Sequence, residues 1–335
     1  MCLKVPTDLA PMEARLVDAL PGESGWQFEP KWDGFRCLAF RSGREVELKA
    51  KSGKSLNRFF PDMVRVIAEL PETKFVLDGE LLIAVEGAFS FDALQMRLHP
   101  SATRVRKLSA EQPATFVAFD CLLSASGRSL VEVPFRERRE ALDTLFGRTG
   151  ETEAFIITPF TLDLKKAKRW LRGAQVQTDG VIAKRLDRPY LPGERAMLKV
   201  KLMRTADCVV GGFRYECGRK LVGSLLLGLY DMMGVLHHVG FTSAIAAAEK
   251  PELTKRLEKL IARPGFTGDA PGGPSRWSTE RSAEWQPLKP KLVVEVRYDH
   301  ISGNRFRHGT KLERWRPDKA PRQCTFAQFE MRNAR

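Results

Sequence analysis

The stretch FEPKWDGFRCLAF, residues 28–40, constrains the fold of this chain more than any other segment. It predicts a strand up to Lys31, a tight turn at Asp33-Gly34, and a second, apolar strand from Arg36 to Phe40. A turn between strands can hold one lysine in a cleft, with an arginine returning beside it. This arrangement suits an amine that attacks a nucleotide phosphate. Two surface cations around a turn are the alternative interpretation.

Strand and helix patterns indicate two domains, for which 335 residues are sufficient. Up to about residue 184, strand signals recur between helical patterns that begin near Pro61, Phe135 and Leu164. This mixture predicts an α+β domain with antiparallel sheets. After about Thr205, several strand-like segments with one helix near 251–262 suit a small β-rich barrel of the OB type. We therefore expect domains at 1–205 and 206–335.

The charge of the chain favours a polyanionic partner. Lys and Arg number 55 against 41 Asp and Glu, which gives a net charge of +14, and the charge is spread along the sequence. Nucleic acid is the first expectation, and a merely basic soluble protein is the alternative. No apolar segment has membrane-spanning or signal-peptide character, so we expect a soluble cytoplasmic protein. The six cysteines form no CxxC pair, which argues against a structural zinc module.

Four polar clusters stand at the ends of predicted strands. They are Asp78-Gly79-Glu80, Phe119-Asp120, the run Asp179–Lys184, and Leu198–Lys201, in which Lys199 and Lys201 alternate onto one strand face. A carboxylate that emerges from an apolar strand is costly unless it binds something. Each cluster alone is more often a salt bridge or a solvated strand end, but their joint occurrence in this order points to function.

These clusters resemble the motifs of the covalent nucleotidyltransferases, which are ATP-dependent DNA ligases, RNA ligases and mRNA capping enzymes. The segment around Lys31 and Arg36 looks like motif I, and the four clusters look like motifs III, IIIa, IV and V. The stretch RFRHGTKLERWRPDKAP looks like motif VI of DNA ligases. The resemblance extends from about residue 25 to 320 and is strongest to short two-domain bacterial DNA ligases akin to the ligase module of end-joining enzymes.

The chain departs from the family pattern at two places. Motif IV usually opens with glutamate, and here Asp179 stands there, which keeps the charge but shortens its reach. The segment Ala50-Lys51-Ser52-Gly53 falls where the family often has Ser-Arg-Asn-Gly. Lys51 can contact a phosphate but lacks the bidentate fork of arginine.

The resemblance implies an adenylation domain followed by an OB-fold domain, with ATP as co-substrate and Mg²⁺ or Mn²⁺ as metal. It implies that Lys31 is the nucleophile, and that Lys199, Lys201, Asp318 and Lys319 assist catalysis. The metal ligands would be Glu80 and Asp179, although Glu80 with Arg36 could instead hold the ribose. Phe119 would stack on adenine, and the Glu29 region would face its edge. The remaining nucleotide contacts implied are Lys51, Lys184, Arg314 and Arg316.

The same resemblance predicts how the reaction proceeds. Because a free lysine titrates near pH 10.4, Lys31 must lose its proton, and we expect nearby cations, Mg²⁺ with Lys199 or Lys201, to favour the neutral amine. We expect the second domain to orient the pyrophosphate and then swing away about a hinge at Thr205-Ala206-Asp207. The basic helix around 164–172 and Arg214, Arg219 and Lys220 are candidates for DNA contacts.

The leading hypothesis is an ATP-dependent DNA ligase that seals nicks in duplex DNA during repair. An RNA ligase or capping guanylyltransferase is the alternative enzyme, and the RWRPDK segment favours the DNA ligase. A non-catalytic nucleic-acid-binding protein with a decayed transferase fold is a third reading. We expect a monomer in the bacterial cytoplasm that works at the nucleoid, with no membrane partner and with unidentified end-joining or repair proteins.

Overall fold

The computed structural model describes residues 3–171, 178–272 and 284–330. The chain divides into two compact units, Met1–Leu202 and Met203–Arg335. The sequence-based assignment of domains to 1–205 and 206–335 stays a prediction.

The first unit contains, among its described residues, ten strands and five helices. The strands are β1 (Ala14–Leu16), β2 (Trp26–Lys31), β3 (Phe35–Ser42), β4 (Glu45–Ala50), β5 (Lys74–Val85), β6 (Ala88–Phe89), β7 (Ala114–Leu123), β8 (Phe155–Ile157), β9 (Gly180–Arg185) and β10 (Met197–Lys201). The helices are α1 (Pro61–Glu69), α2 (Phe91–Arg97), α3 (Ala102–Glu111), α4 (Phe135–Thr149) and α5 (Leu164–Trp170).

These strands form two sheets. The small sheet has four strands in the order β1-β10-β9-β2, and the large sheet has six, in the order β4-β3-β5-β7-β8 with β6 beside β5. Only β1 with β10 and β7 with β8 are parallel pairs among the described strands. The predicted α+β class with antiparallel sheets is therefore confirmed.

Apolar side chains cover both faces of each sheet. Leu38 and Phe40 of β3 pack with Met197 of β10 in the layer between the two sheets. The far face of the large sheet buries residues of α1, α2 and α4, and Trp170 of α5 packs against the small sheet. Because both faces are buried, the strands are apolar runs such as ATFVAFDCLL of β7.

The turn after Lys31 carries the chain from one sheet to the other. Strand β2 ends at Lys31 in the small sheet, and β3 begins at Phe35 in the large sheet. A side chain at Gly34 would collide with the backbone of Leu81, so the crossing is close. As a result, Lys31 and Arg36 project from different sheets toward a shared space.

The second unit is β-rich, as predicted. Its described strands are β11 (Arg204–Tyr215), β12 (Val222–Tyr230), β13 (Leu236–Thr242), β14 (Gln286–Pro287), β15 (Val293–Tyr298), β16 (Ile301–Ser302), β17 (Arg305–Phe306) and β18 (Lys311–Trp315). The helices are α6 (Lys250–Glu258), a 3₁₀ turn at Pro321–Gln323 and α7 (Ala327–Glu330). The main sheet has the order β13-β12-β11-β15-β18.

The proposed hinge at Thr205-Ala206-Asp207 does not lie in a loop. These three residues belong to β11 and pair with Arg297, Val296 and Glu295 of β15, and Ala206 is buried. A hinge there would break ladder hydrogen bonds of β11, and the hinge stays a prediction. Leu202 and Met203, which lie between β10 and β11, belong to neither strand.

Two buried ion pairs join elements of the first unit. The guanidinium of Arg138 on α4 donates to both oxygens of Asp120 on β7, at 2.7 and 3.1 Å, and both side chains are about 1% exposed. Arg97 at the end of α2 similarly binds Asp62 of α1. Asp120, which sequence reasoning grouped with Phe119, thus has a structural partner.

Among the residues that the structure describes, no helix is both long enough and apolar enough to cross a lipid bilayer.

We expect Arg138→Met to destabilise the fold by about 3–5 kcal/mol, because it leaves the Asp120 carboxylate buried without its partner. The measurement is the free energy of unfolding from urea titration. The matched control is Arg136→Met, an exposed position on the same helix, for which we expect a change below about 0.5 kcal/mol. Equal stability of the two variants would contradict the assigned role of the pair.

Candidate active site

Strand register in the small sheet brings two lysines of the predicted site together. Gly180 of β9 lies opposite Lys31 of β2 on one side and opposite Lys201 of β10 on the other. The next row on the same face holds Glu29, Ile182 and Lys199. The two rows place three basic side chains and one acidic side chain on one face.

Gly180 is required between the two lysines. Its φ is +152°, and an added Cβ would collide with the carbonyl oxygen of Val200 on β10. Any other residue would push the strands apart and displace Lys31 and Lys201.

The amine of Lys31 is bound to a carboxylate. Its Nζ donates to Oδ2 of Asp179 at 2.7 Å, and the Nζ of Lys201 lies 4.0 Å from the same oxygen. Burial lowers the pKa of Lys31. The charge and hydrogen bond of Asp179 and the charges of Glu80 and Asp33 raise it by more, so the net pKa lies above the ordinary value of a lysine. The expectation that Mg²⁺, with Lys199 or Lys201, favours the neutral amine stays a prediction.

A second ion pair, Lys184 with Glu29, is buried in the wall of the site. Nζ of Lys184 lies 2.9 Å from Oε2 of Glu29 and donates to the carbonyl of Phe119 at 2.7 Å. The other Glu29 oxygen accepts from Gln27 at 2.9 Å. Lys184 therefore links the small sheet to β7 of the large sheet.

The Phe119 ring has two cationic neighbours. Nζ of Lys184 and Cζ of Arg36 each lie 4.6 Å from its centroid, and Phe119 is 8% exposed. Stacking of adenine on this ring stays a prediction.

Two residues fix Arg36: Asp78, which sequence reasoning placed in a motif cluster without a role, and Tyr190, which it missed. Nε and Nη2 of Arg36 donate to the two oxygens of the fully buried Asp78, at 2.5 and 2.6 Å. The hydroxyl of Tyr190 donates to the same carboxylate at 2.6 Å and accepts from the backbone amide of Met12 at 2.8 Å. The signal for Asp78 was its place inside an apolar strand, two residues before Glu80, whereas no local pattern marks Tyr190.

Glu80 projects from β5, beside Arg36 in register. Burial raises its pKa to about 7, although the charges of Arg36 and Lys31 act in the opposite direction. One carboxylate oxygen accepts from the backbone amide of Gly34 at 3.2 Å. A raised pKa means that nearby cations and hydrogen bonds do not fully offset the cost of ionising Glu80 in this buried position. Such a carboxylate is suited to bind a cation or a hydroxyl group that a ligand brings.

A cavity of about 200 Å³, open to solvent, lies between these residues. It gathers eight of the predicted site residues as lining: Glu29, Lys31, Arg36, Lys51, Glu80, Phe119, Lys184 and Lys199. Burial and the charges of Lys31, Lys201 and Lys51 lower the pKa of Lys199. Such converging cations are suited to a phosphate group.

The predicted residues of the second unit form a separate network. Asp207 of β11 accepts from Nη1 of Arg316 at 2.8 Å and from Nζ of Lys319 at 2.7 Å. Arg316 also binds Asp318, and this hydrogen bond lowers the pKa of Asp318 to about 2. Arg314 binds Glu295 at 2.6 Å. Asp207 is thus a positioning residue that sequence reasoning had assigned to a hinge.

The candidate DNA contacts have mixed outcomes. Helix α5 carries Lys165, Lys166, Lys168 and Arg169, as expected, but it ends at Trp170, and Arg172 lies outside the described residues. Lys220 is exposed and lies 3.6 Å from Glu258, whereas burial lowers the pKa of the partly buried Arg214. DNA contact at these positions stays a prediction.

Two family models match the chain. One, described as the ATP dependent DNA ligase domain, covers residues 11–201, and the other, the ATP dependent DNA ligase C terminal region, covers residues 218–319. Together they include the described site residues of the first unit and Arg314, Arg316, Asp318 and Lys319 of the second unit, whereas Asp207 lies between the two matched ranges.

Individual relatives agree with the family models. DNA ligase C2 of Mycolicibacterium smegmatis is 44% identical, with 98% of this chain and 96% of that protein covered. DNA ligase C of Mycobacterium tuberculosis is 42% identical over the same shares. Among solved structures, a mycobacterial DNA ligase D complexed with ATP and MES is 30% identical, with a TM-score of 0.52 and coverage of 95% of this chain and 98% of that one.

We expect Gly180→Ala to lower the free energy of unfolding by about 2 kcal/mol or more, because it adds an atom where backbone already lies and strains a positive φ. Urea titration measures the effect. Gly43 has a φ of +64° and no atom within 4 Å of an added Cβ, so Gly43→Ala measures the cost of the positive φ alone. Gly22 also has no close atom, and Gly22→Ala should change the free energy of unfolding little. If Gly180→Ala is no less stable than Gly43→Ala, the close approach of β10 is not a constraint.

Proposed function

The chain belongs to the family of ATP-dependent DNA ligases, and from that premise we propose that it seals nicks in duplex DNA through an adenylate carried on Lys31. The observation that carries the proposal is the position of the Lys31 amine, which lines the cavity beside Asp179 and among Lys199 and Lys201. The ATP complex of the related ligase D supports ATP as co-substrate.

In the first step the Lys31 amine attacks the α-phosphorus of ATP. An N–P bond forms, the bond to pyrophosphate breaks, and the proton of the amine passes to water. Lys199 and Lys201 provide positive charge where negative charge builds on the α-phosphate oxygens. Asp179 fixes the direction of the Lys31 side chain through its 2.7 Å hydrogen bond.

In the second step the 5′-phosphate at the nick takes AMP from Lys31, and the amine leaves. In the third step the 3′-hydroxyl attacks that activated phosphate, the phosphodiester bond forms, and AMP leaves. The cations that line the cavity hold the phosphate groups in each step.

The nucleotide is held by residues from both sheets. We assign the ribose to Arg36 and Glu80, the adenine to the surroundings of Phe119, Glu29 and Lys184, and a phosphate to Lys51. Arg36 is already oriented by Asp78 and Tyr190, so no side-chain rearrangement is needed before it binds.

The site fits Mg²⁺ or Mn²⁺. Within residues 3–171, 178–272 and 284–330 no cluster of three or more ligating side chains exists, but Mg²⁺ is often held by one or two carboxylates together with substrate phosphates. Asp179 and Glu80, which both act on the charge of Lys31, are the carboxylates that would hold it. When bound, the metal would offset negative charge on the phosphate oxygens.

The wider biological role follows from the ligase reaction. We place the protein in DNA repair, as a monomer in the cytoplasm that acts at the nucleoid, with nicked duplex DNA as its substrate and end-joining or repair proteins as partners. The comparisons with DNA ligases do not favour an RNA ligase or capping enzyme.

We expect Lys31→Ala to gain no AMP after exposure to ATP and Mg²⁺, and to seal nicked DNA at least about 10³-fold more slowly, because no other amine can take its place in line. Intact mass and a nick-sealing assay measure the two effects. The control is Lys107→Ala, whose side chain is 73% exposed on α3. Normal sealing by Lys31→Ala would overturn the proposal.

We propose that Arg316, Asp318 and Lys319 act in the adenylation step. Lys319→Ala should lower the rate of self-adenylation by about 10²-fold, because a positive charge that would offset the charge of the leaving group is lost. Sealing of pre-adenylated nicked DNA should change less than about threefold. Lys311→Ala, an exposed position on β18, is the control. An equal loss in both steps would contradict the assignment.

A further inference from the structure

Glu13 is an acidic residue in the wall of a cavity that collects phosphate-binding cations. Its backbone is fixed on both sides, since its amide donates to the carbonyl of Glu194 at 2.7 Å and its carbonyl accepts from Met197 at 3.1 Å. The side chain therefore starts from a defined point beside β10. None of the family motifs discussed above includes this residue.

The Glu13 carboxylate is bound to Lys51, one of the cations that line the cavity. Oε1 lies 2.9 Å from Nζ of Lys51, and Oε2 lies 3.9 Å from Nε of Arg195. The hydrogen bond from Lys51 lowers the pKa of Glu13, and the charges of Arg195 and Lys199 act in the same direction. Glu13 is thus ionised at neutral pH and neutralises part of the charge that a phosphate would meet.

Glu13 differs from the other acidic residues of the cavity in how firmly its carboxylate is held. Glu29 is buried against Lys184, and Glu80 accepts a backbone hydrogen bond from Gly34. Lys51, in contrast, is 58% exposed and Glu13 is 28% exposed. A pair this exposed is weak, so another anion can displace the carboxylate at small cost.

We propose that the Glu13 carboxylate is an internal counter-ion that occupies the place of a substrate phosphate on Lys51, so that phosphate binds by displacing it. A phosphate with two ionised oxygens carries more charge than a carboxylate, and Lys51 and Lys199 both line the cavity that it would enter. Glu13 therefore lowers the affinity of the cavity for phosphate groups and favours their release after each step. The inference rests on the proposed function only for the identity of the substrates.

Two sources could supply the phosphate, namely the polyphosphate of ATP and the 5′-phosphate of the DNA nick. Two assays separate them. Single-turnover self-adenylation at varied ATP gives a KM and a maximal rate for the first source. Sealing of pre-adenylated nicked DNA at varied DNA concentration gives a KM and a maximal rate for the 5′-phosphate of the nick.

The test variant is Glu13→Gln, which keeps the size of the side chain and removes its charge. We expect KM in at least one assay to fall about two- to fivefold, with the maximal rate within about twofold of wild type, as for the loss of one exposed ion pair. The matched control is Glu194→Gln, which removes the same charge at an exposed position nearby. A Lys51→Ala background should abolish the effect of Glu13→Gln, since the partner is then absent.

The outcomes are distinct. A fall in KM for ATP alone assigns Glu13 to the polyphosphate, and a fall for DNA alone assigns it to the nick phosphate. Unchanged or higher KM values in both assays, an equal fall in Glu194→Gln, or a full effect without Lys51 would each overturn the inference. Thermal unfolding of every variant separates these results from loss of fold. If wild type itself takes up no AMP, the proposed function has failed rather than the role of Glu13.

Discussion

The ion pair between Lys31 and Asp179 is the interaction on which the rest of the site depends. It joins the last residue of β2 to the residue before β9, so the side chain that is proposed to react is held in one direction by the sheet itself. The same carboxylate raises the pKa of Lys31. One contact therefore orients the amine and favours its protonated form, so the amine must lose its proton before it attacks.

The two-sheet architecture explains how residues with different tasks meet. The small sheet contributes the lysines, and the large sheet contributes Arg36 and Glu80. Gly180 allows the close strand spacing, while Lys184 and Arg36 tie the two sheets together through Phe119, Glu29 and the backbone of Met12. Arg36, Lys184 and Glu29 in the cavity wall are consequently held by protein partners before any ligand binds, which lowers the entropic cost of binding a flexible nucleotide.

Much of this arrangement could be predicted from the sequence. Local apolar patterns predict the strands between residues 26 and 185 and the placement of Lys199 and Lys201 on one face of β10. Residues from each of the four motif clusters line one cavity. What was missed depends on partners distant in the chain. Tyr190 meets Asp78 across 112 residues and Met12 across 178, and Asp207 was assigned to a hinge because its pairing with β15 and Arg316 leaves no local signal. The raised pKa of Lys31 was missed because it depends on a balance of burial and acidic neighbours that spacing does not reveal.

The most direct test of the account is to locate the adenylate within the chain. After exposure to ATP and a divalent metal, the protein would be digested at neutral pH and the AMP-bearing peptide sequenced by tandem mass spectrometry. The account predicts a single acid-labile AMP on the nitrogen of Lys31, as expected for a phosphoramide. AMP found on Lys199, Lys201 or any other residue, with Lys31 unmodified, would contradict it.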